Sequence, residues 1–253
     1  PPFAEMHMPA PGLLAKFAKL RRILAVPGYR AALRSGAAAG VEHARVLRQI
    51  PCRTVVDIGA NRGQFALVAR ACFPAANIIS FEPLAAPADI FARVFAGDAQ
   101  TRLVRAAIGP TRGQTTIHVS QRDDSSSLLP ITPAQNELFP GTAEARTETI
   151  TTARLAEHLD ADAIAAPALL KLDVQGFELP ALEGCEDRLR HFEWIYAECS
   201  FAELYQGQAL ADEVIAWLRD RGFRLVGVYN MSYDERGRAI QADFLFRIVG
   251  GHE

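Results

Sequence analysis

The sequence predicts a doubly wound α/β fold: a mostly parallel sheet with helices on both faces, an antiparallel last strand and an N-terminal helical cap. Three observations predict it. From residue 53 onward, short apolar and β-branched runs alternate with helical stretches, the order that parallel βαβ units require. One run, Ala168–Val174, is apolar except for Lys171 and Asp173. The final two runs are joined by the polar stretch Asn230–Arg238, which can turn without the crossover helix that a parallel pair needs.

The elements follow in order. After the breaker Pro9-Ala10-Pro11-Gly12, the apolar residues Leu13, Leu14, Phe17, Leu20, Ile23 and Leu24 recur at helical spacing, predicting an amphipathic helix over 12–25. Val26-Pro27-Gly28 stops it. A second helical stretch reaches Ser35-Gly36 and a third spans Val41–Ile50. Residues 1–50 thus read as a basic helical appendage capping a main domain of residues 51–253. In that domain Arg53–Ile58, Asn77–Phe81 and Thr101–Ile108 read as strands, separated by helices over Gly63–Cys72 and Leu84–Phe95. Gln114–Ser120 alternates like an exposed strand, and Thr147–Thr151 could pair with it. The polar Gln121–Arg146 between them reads as an irregular lid, so an inserted hairpin or lid occupies about residues 114–151. Strands at Ala168–Val174, Phe192–Cys199, Phe223–Tyr229 and Asp243–Ile248 complete the sheet, with a helix over Asp212–Arg221.

Composition narrows the function classes. The chain has 253 residues, 49% hydrophobic and 22% charged, an ordinary globular balance. Its four cysteines, Cys52, Cys72, Cys185 and Cys199, form no C-x-x-C pair and have no histidine at ligand spacing. That argues against a zinc site or disulfide framework and for a cytoplasmic setting. No apolar run approaches the ~20 residues that span a bilayer, and no stretch has the layout of a secretory signal. The net charge of −2 is uneven: residues 1–50 hold eight Lys/Arg against Glu5 and Glu42, or +6, leaving −8 for the remainder. An acidic main domain argues against a nucleic-acid substrate. The basic arm reads first as a solvated face, and could otherwise make a peripheral contact with acidic lipid or meet a nucleic acid or a partner subunit. The apolar stripe of helix 12–25 could serve a homodimer as well as a cap.

The segment Val55-Val56-Asp57-Ile58-Gly59-Ala60-Asn61-Arg62-Gly63 carries the most chemistry. A buried strand runs into a glycine turn and directly into a helix, at the edge where open parallel sheets bind ligands. Glycines there let a ligand lie against the backbone. Ala60-Asn61 after Gly59 breaks the G-x-G-x-x-G pattern that a dinucleotide fold needs. Asp57 would repel a pyrophosphate but suits an ammonium, and S-adenosylmethionine carries an ammonium and no phosphate. Glu82, in Ser80-Phe81-Glu82-Pro83, ends the second strand, where an acid can accept both ribose hydroxyls. The competing readings are a nicotinamide-dependent oxidoreductase, which would bind a pyrophosphate cofactor, and a non-catalytic subunit of the same fold, in which the cofactor acids would be eroded.

Val56–Gly63, then Phe81-Glu82-Pro83, Ala107-Ile108-Gly109 and Leu170-Lys171-Leu172-Asp173-Val174-Gln175-Gly176-Phe177-Glu178, resemble the FkbM family of methyltransferases, over roughly residues 53–248. The resemblance implies a Rossmann-like class I methyltransferase sheet and S-adenosylmethionine-dependent O-methylation of a natural product, sugar or glycolipid. The cofactor is expected at Asp57, Gly59, Asn61, Gly63, Glu82, Pro83, Ala107 and Asp173. The acceptor is expected to be a small molecule or glycan.

Methyl transfer from a sulfonium is an in-line displacement. The protein mainly aligns acceptor oxygen, methyl carbon and sulfur, and can help by taking the hydroxyl proton. Lys171–Glu178 is the expected place, because charged residues sit there at the carboxyl end of an apolar strand. Asp173 could orient or deprotonate the hydroxyl, and Gln175 and Glu178 could bind the acceptor or support Asp173. Lys171 could meet an acidic group on the substrate, pair with a carboxylate, or bridge to Glu178. Glu198, ending the next strand, is a second acid at the same edge. With Asp173 it could hold a divalent metal, but oxygen-bound metals take more ligands than two, and none is predicted. His118 is the rival base. Ser126, within Ser125–Ser127, is expected to contact acceptor or cofactor if the segment closes. Asn230 and Asp243 are expected to line the acceptor pocket.

Overall fold

The computed structural model describes residues 13–250, so the Pro9–Gly12 breaker lies outside the described residues. Three helices come first: α1 (Leu13–Ala25), α2 (Pro27–Arg34) and the single turn α3 (Ala44–Leu47). The chain then runs β1 (Thr54–Ile58), α4 (Gln64–Cys72), β2 (Asn77–Phe81), α5 (Ala85–Val94) and β3 (Thr101–Val104). An excursion follows through β4 (Ala107–Ile108), β5 (Gly113–Ser120), α6 (Pro133–Leu138) and β6 (Glu144–Ala153). The chain returns through β7 (Ala168–Leu172), α7 (Glu178–Cys185), β8 (Trp194–Ser200), α8 (Ala211–Asp220), β9 (Phe223–Tyr233) and β10 (Ala239–Ile248).

Seven strands form one sheet in the order β3-β2-β1-β7-β8-β10-β9. β3, β2, β1, β7 and β8 run parallel, and β10 lies antiparallel between β8 and β9. This is the doubly wound sheet with an antiparallel last strand that the sequence predicts. Successive strand positions alternate between its two faces. Val55, Ile78 and Leu169 pack toward α4 with Val41, Leu47, Phe65 and Phe91. Val56, Ile79 and Leu170 pack on the opposite side with Leu182, Val214 and Leu218. Burying one such side chain contributes about 1.5–3 kcal/mol. The segment holding Ala37, Ala39, Val41, Val46, Leu47 and Ile50 is therefore joined to the core of the sheet. α1 is less committed: Ile23 is buried, whereas Phe17, Leu20 and Leu24 on its predicted apolar stripe are exposed.

Three local expectations are corrected. Thr101–Ile108 is not one strand, because the chain leaves the main sheet after Val104 and Ala107–Ile108 pairs with β6 in a second sheet, ordered β4-β6-β5. Asn230–Arg238 is not all turn, since β9 continues to Tyr233 across irregular registers and Asn230 takes φ 49°. Gln121–Arg146 is not irregular. It holds a 3-10 turn at Asp123–Ser125, the helix α6 and the first residues of β6. Thr132 caps α6 by accepting from Gln135 N, and Leu129, Ile131, Leu138 and Phe139 pack on Leu204 and Tyr205. The sequence reading also missed α7, whose Pro180 falls in the first helical turn, where its missing N–H leaves no bond unmade.

Candidate active site

The strand order reverses between β1 and β7, and such reversals open a crevice at the carboxyl ends of the strands. Here the crevice is a cavity of about 490 Å³ bounded by the ends of β1, β2, β7 and β8 and roofed by Ser125–Leu128. That volume is in the range of small-molecule sites.

The β1–α4 turn forms one wall. Gly59 N and Ala60 N both donate to Phe81 O, tying the turn to β2. Gly59 has φ 78°, and a Cβ there would stand 1.9 Å from Asp173 O. Gly63 has φ 90°, and its Cβ would stand 2.6 Å from the Phe95 ring. The expectation that these glycines make room for a ligand is thus corrected: the close neighbours are the protein's own β7 extension and α5 aromatics. Gly59 still borders the cavity; Gly63 does not.

Glu82 directly follows β2 at the cavity wall and is 5% exposed. Its two carboxylate oxygens accept from Asn61 N and Leu84 N, each at 2.9 Å. Burial pushes its pKa up to about 7, against the pull of those two amides. Each oxygen keeps acceptor capacity beyond its one amide. Asn61, Pro83 and Ala107 line the same wall.

Asp57 does not reach the cavity. It is fully buried, opposite Lys171 in the β1–β7 register, and Lys171 Nζ lies 3.0 Å from its Oδ1. The ammonium also donates to Gly59 O at 3.1 Å and lies 3.7 Å from Asp173 Oδ2. Burial pulls Lys171 down, but Asp57 and Asp173 outweigh it and hold the ammonium above the ordinary lysine value. It thus makes one hydrogen bond, to Gly59 O, and stands as the counter-charge to Asp57 and, farther off, to Asp173. Of the alternatives for Lys171, pairing with a carboxylate is the one this geometry fits. The expectation that Asp57 meets a ligand's ammonium is corrected, since it already has its counter-charge. Lys171 does not bridge to Glu178.

Asp173 and Glu198 both line the cavity, joined by an amide. Gln175 Nε2 donates to Asp173 Oδ1 at 2.7 Å and to Glu198 Oε2 at 2.9 Å, while Tyr205 donates its phenol proton to Gln175 Oε1 at 2.6 Å. Gln241 Nε2 holds the other Glu198 oxygen at 3.0 Å. Burial, then the nearby Asp173 charge, raises Glu198 well above the usual carboxylate range. Gln175, at φ 54°, is the centre of this network. The amide occupies the space between the two acids, and among the described residues no group of three or more His, Cys, Asp or Glu could hold a metal.

Glu178 lies behind the cavity wall, where its Oε1 accepts from Val174 N at 3.0 Å and Gly176 N at 3.3 Å. It shapes the β7–α7 turn and does not face the cavity. Burial raises its pKa from 4.5 to about 7. A carboxyl raised by folding contributes stability that is complete below pH 4.5 and lost as pH rises through about 7. Glu178→Gln keeps the acceptor and removes the titration. It is expected to flatten the fall in unfolding free energy across that window by on the order of 3 kcal/mol, read by urea unfolding at successive pH. An unchanged slope would mean that Glu178 is ionised in the fold.

Ser126 lines the cavity, with its Oγ accepting from Ser120 N. His118 does not come to the site. Its Nδ1 lies 2.6 Å from Glu144 Oε2 on the small sheet. Asn230 stands behind the wall, donating to Asp243 Oδ2 at 2.7 Å. The same Asp243 oxygen accepts from Tyr196 OH at 2.9 Å and lies 3.4 Å from His43 Nδ1. Burial raises Asp243, but these partners outweigh it and leave its pKa below the ordinary value. His43 lines the cavity and carried no sequence signal, being a lone histidine in the helical segment before β1.

Residues 57–225 match a family model described as the Methyltransferase FkbM domain. The 31-O-demethyl-FK506 methyltransferase FkbM of Streptomyces tacrolimicus is 28% identical over 199 residues, covering 70% of this chain and 74% of that protein. Methyltransferase sdnD of Sordaria araneosa is 24% identical over 194 residues, covering 67% of this chain and 73% of its own. A solved structure of methyltransferase FkbM from Methylobacillus flagellatus KT aligns with a TM-score of 0.50 at 13% identity, over 76% of this chain. This chain spans 43% of that structure's length, and the likeness is one of fold.

Proposed function

The chain belongs to the FkbM methyltransferase family, and from that premise we propose that it transfers a methyl group from S-adenosylmethionine to a hydroxyl of a sugar, glycolipid or other natural product. The observation that carries the donor assignment is Glu82, a buried carboxylate on the cavity wall whose oxygens each keep acceptor capacity for a ribose hydroxyl. Bound there, S-adenosylmethionine supplies an electrophilic methyl group on a positive sulfur. The surrounding residues fit it. Gly59 and Asn61 offer backbone beside Glu82, and Asp173, with its side chain 37% exposed, offers negative charge to an ammonium. Gln175 fixes Asp173 relative to Glu198 and so orients both acids toward the acceptor. The known relative that acts on demethyl-FK506 supports an oxygen acceptor.

In this reading residues 51–253 are the methyltransferase domain, and the excursion over 114–151 is its acceptor-side lid. Four free cysteines support a cytoplasmic setting, and among the described residues no helix is long and apolar enough to cross a membrane. The exposed apolar face of α1 beside Arg21 and Arg22 supports contact with acidic lipid or with a second copy of the chain.

Calorimetric titration with S-adenosylhomocysteine is expected to show saturable binding, and NAD none. Binding of NAD alone would make the chain an oxidoreductase. A folded protein that binds neither would be a non-catalytic subunit.

A further inference from the structure

Proton removal from the acceptor still needs a group. Asp173 is partly neutralised by Lys171, and both Glu198 oxygens are held by amide donors. Of the other acids on the wall, Glu42, Asp123 and Asp124 are paired with Lys19, Arg62 and Arg122, which turns attention to His43, outside the residues matched to the family model. Its surroundings fix which ring nitrogen carries the proton. Nδ1 lies 3.2 Å from Tyr196 Oη and 3.4 Å from Asp243 Oδ2. The Tyr196 proton is already given to Asp243. Asn230 Nδ2, 3.5 Å from Nδ1, has its closer partner in Asp243 at 2.7 Å. Nδ1 therefore faces a carboxylate oxygen and a phenol oxygen that has no proton left to give, and an Nδ1–H meets both favourably where a bare lone pair would meet neither. That leaves the lone pair on Nε2, which has no partner among the described residues. Gly40 keeps that edge uncovered: a Cβ there would stand 3.0 Å from Cδ2 and 3.4 Å from Nε2. Phe65 and Tyr196 pack edge-on to the imidazole, at centroid distances of 5.3 and 5.7 Å, and hold its plane.

We infer that His43 is the base of the site, with Asp243 and Tyr196 as positioning residues that hold its Nδ1 proton and leave Nε2 to accept the proton of the acceptor hydroxyl. The inference rests on the methyl-transfer reading above. As the acceptor oxygen bonds the methyl carbon and the methyl–sulfur bond breaks, its electron pair going to sulfur, the hydroxyl proton passes to Nε2. The imidazolium later releases that proton to water. This is the nucleophile–base–orienter logic of general-base sites, with the base supplied by the segment before β1 and the orienter by β10.

The test is nitrogen-15 NMR of the imidazoles in the full chain saturated with S-adenosylhomocysteine at alkaline pH, His43 being assigned by the signal lost in His43→Gln. Neutral His43 is expected in the Nδ1–H form, the reverse of the preference of free histidine. Asp243→Asn is expected to move the tautomer ratio toward Nε2–H by about ten- to a hundredfold, and Tyr196→Phe serves if that variant fails to fold. Diethylpyrocarbonate should modify His43 ahead of His158 and His191, whose Nε2 atoms are buried. An Nε2–H tautomer in the native chain, or a His43 no more reactive than those two, overturns the inference. Tight S-adenosylhomocysteine binding with the wrong tautomer would sink this base alone. Absent binding in a folded chain would sink the methyl-transfer reading.

Discussion

Replacing Glu82 with alanine is expected to weaken S-adenosylhomocysteine binding by about 30- to 1000-fold, the equivalent of ~2–4 kcal/mol for hydrogen bonds to a charged acceptor. The effect is large because the carboxylate is nearly closed off from water, so no solvent replaces it as a partner for the ribose. A pH dependence should accompany it. Burial pushes the free carboxyl up to about 7, and hydroxyl donors select the ionised form. Affinity should therefore rise as pH climbs through about 7 and level off above it. Glu82→Gln, neutral at every pH, should bind weakly and without that rise. Because Glu82 also holds Asn61 N and Leu84 N, calorimetry should be paired with a thermal melt to separate lost contacts from a loosened turn. Unchanged affinity in the alanine variant would refute the ribose assignment.

Lys171→Met should act on the fold itself. It leaves Asp57, wholly buried between β2 and β7, without its counter-charge. Removing one partner of a buried ion pair destabilises by about 3–5 kcal/mol, because a lone charge cannot recover its lost hydration. For a domain of this size that corresponds to a melting temperature lower by about 6–20 °C. Adding Asp57→Asn to the same chain removes the stranded charge and should restore most of the loss. Urea unfolding of both variants decides the matter, and a single variant as stable as the parent would mean that Asp57 is already neutral.

Much of this architecture is legible in the sequence, and the exceptions have physical reasons. Apolar runs such as Val55–Ile58 and Ala168–Leu172 declare the central strands, because only a buried strand tolerates so little polar content. Glu82 is legible because its position after β2 is fixed by chain order alone. Asp57 is not, since its partner lies across the strand pair that joins residue 57 to residue 171, and sequence does not reveal whether such an acid faces a ligand or a neighbouring strand. The same holds for Gly59, whose constraint comes from the backbone of Asp173. His43 and Asp243 are 200 residues apart in the chain, and no local pattern connects them. The break after Val104 is hidden because Ala106–Ile108 keeps the apolar character of β3 while serving the other sheet.

The excursion between the two halves of the main sheet is stitched shut at its own base, where Ala107 pairs with Thr152 and Ile108 with Ala153. Its far end, between residues 121 and 143, lies beyond that seam and is tied to the rest of the protein at separate points: Arg62 pairs with Asp123, Ser127 Oγ donates to Gln175 O, and α6 with its flanks packs on Leu204 and Tyr205. Growth there leaves the strand registers below it intact, and doubling a loop adds only about 0.6 kcal/mol of closure entropy. Descendants of one ancestor can therefore lengthen or prune the segments between those ties while β1, β2 and β7, which carry the proposed donor wall, keep their pairing. Diversity of acceptors within such a lineage would then be written mainly in the roof of the cavity, between the points that folding holds fixed.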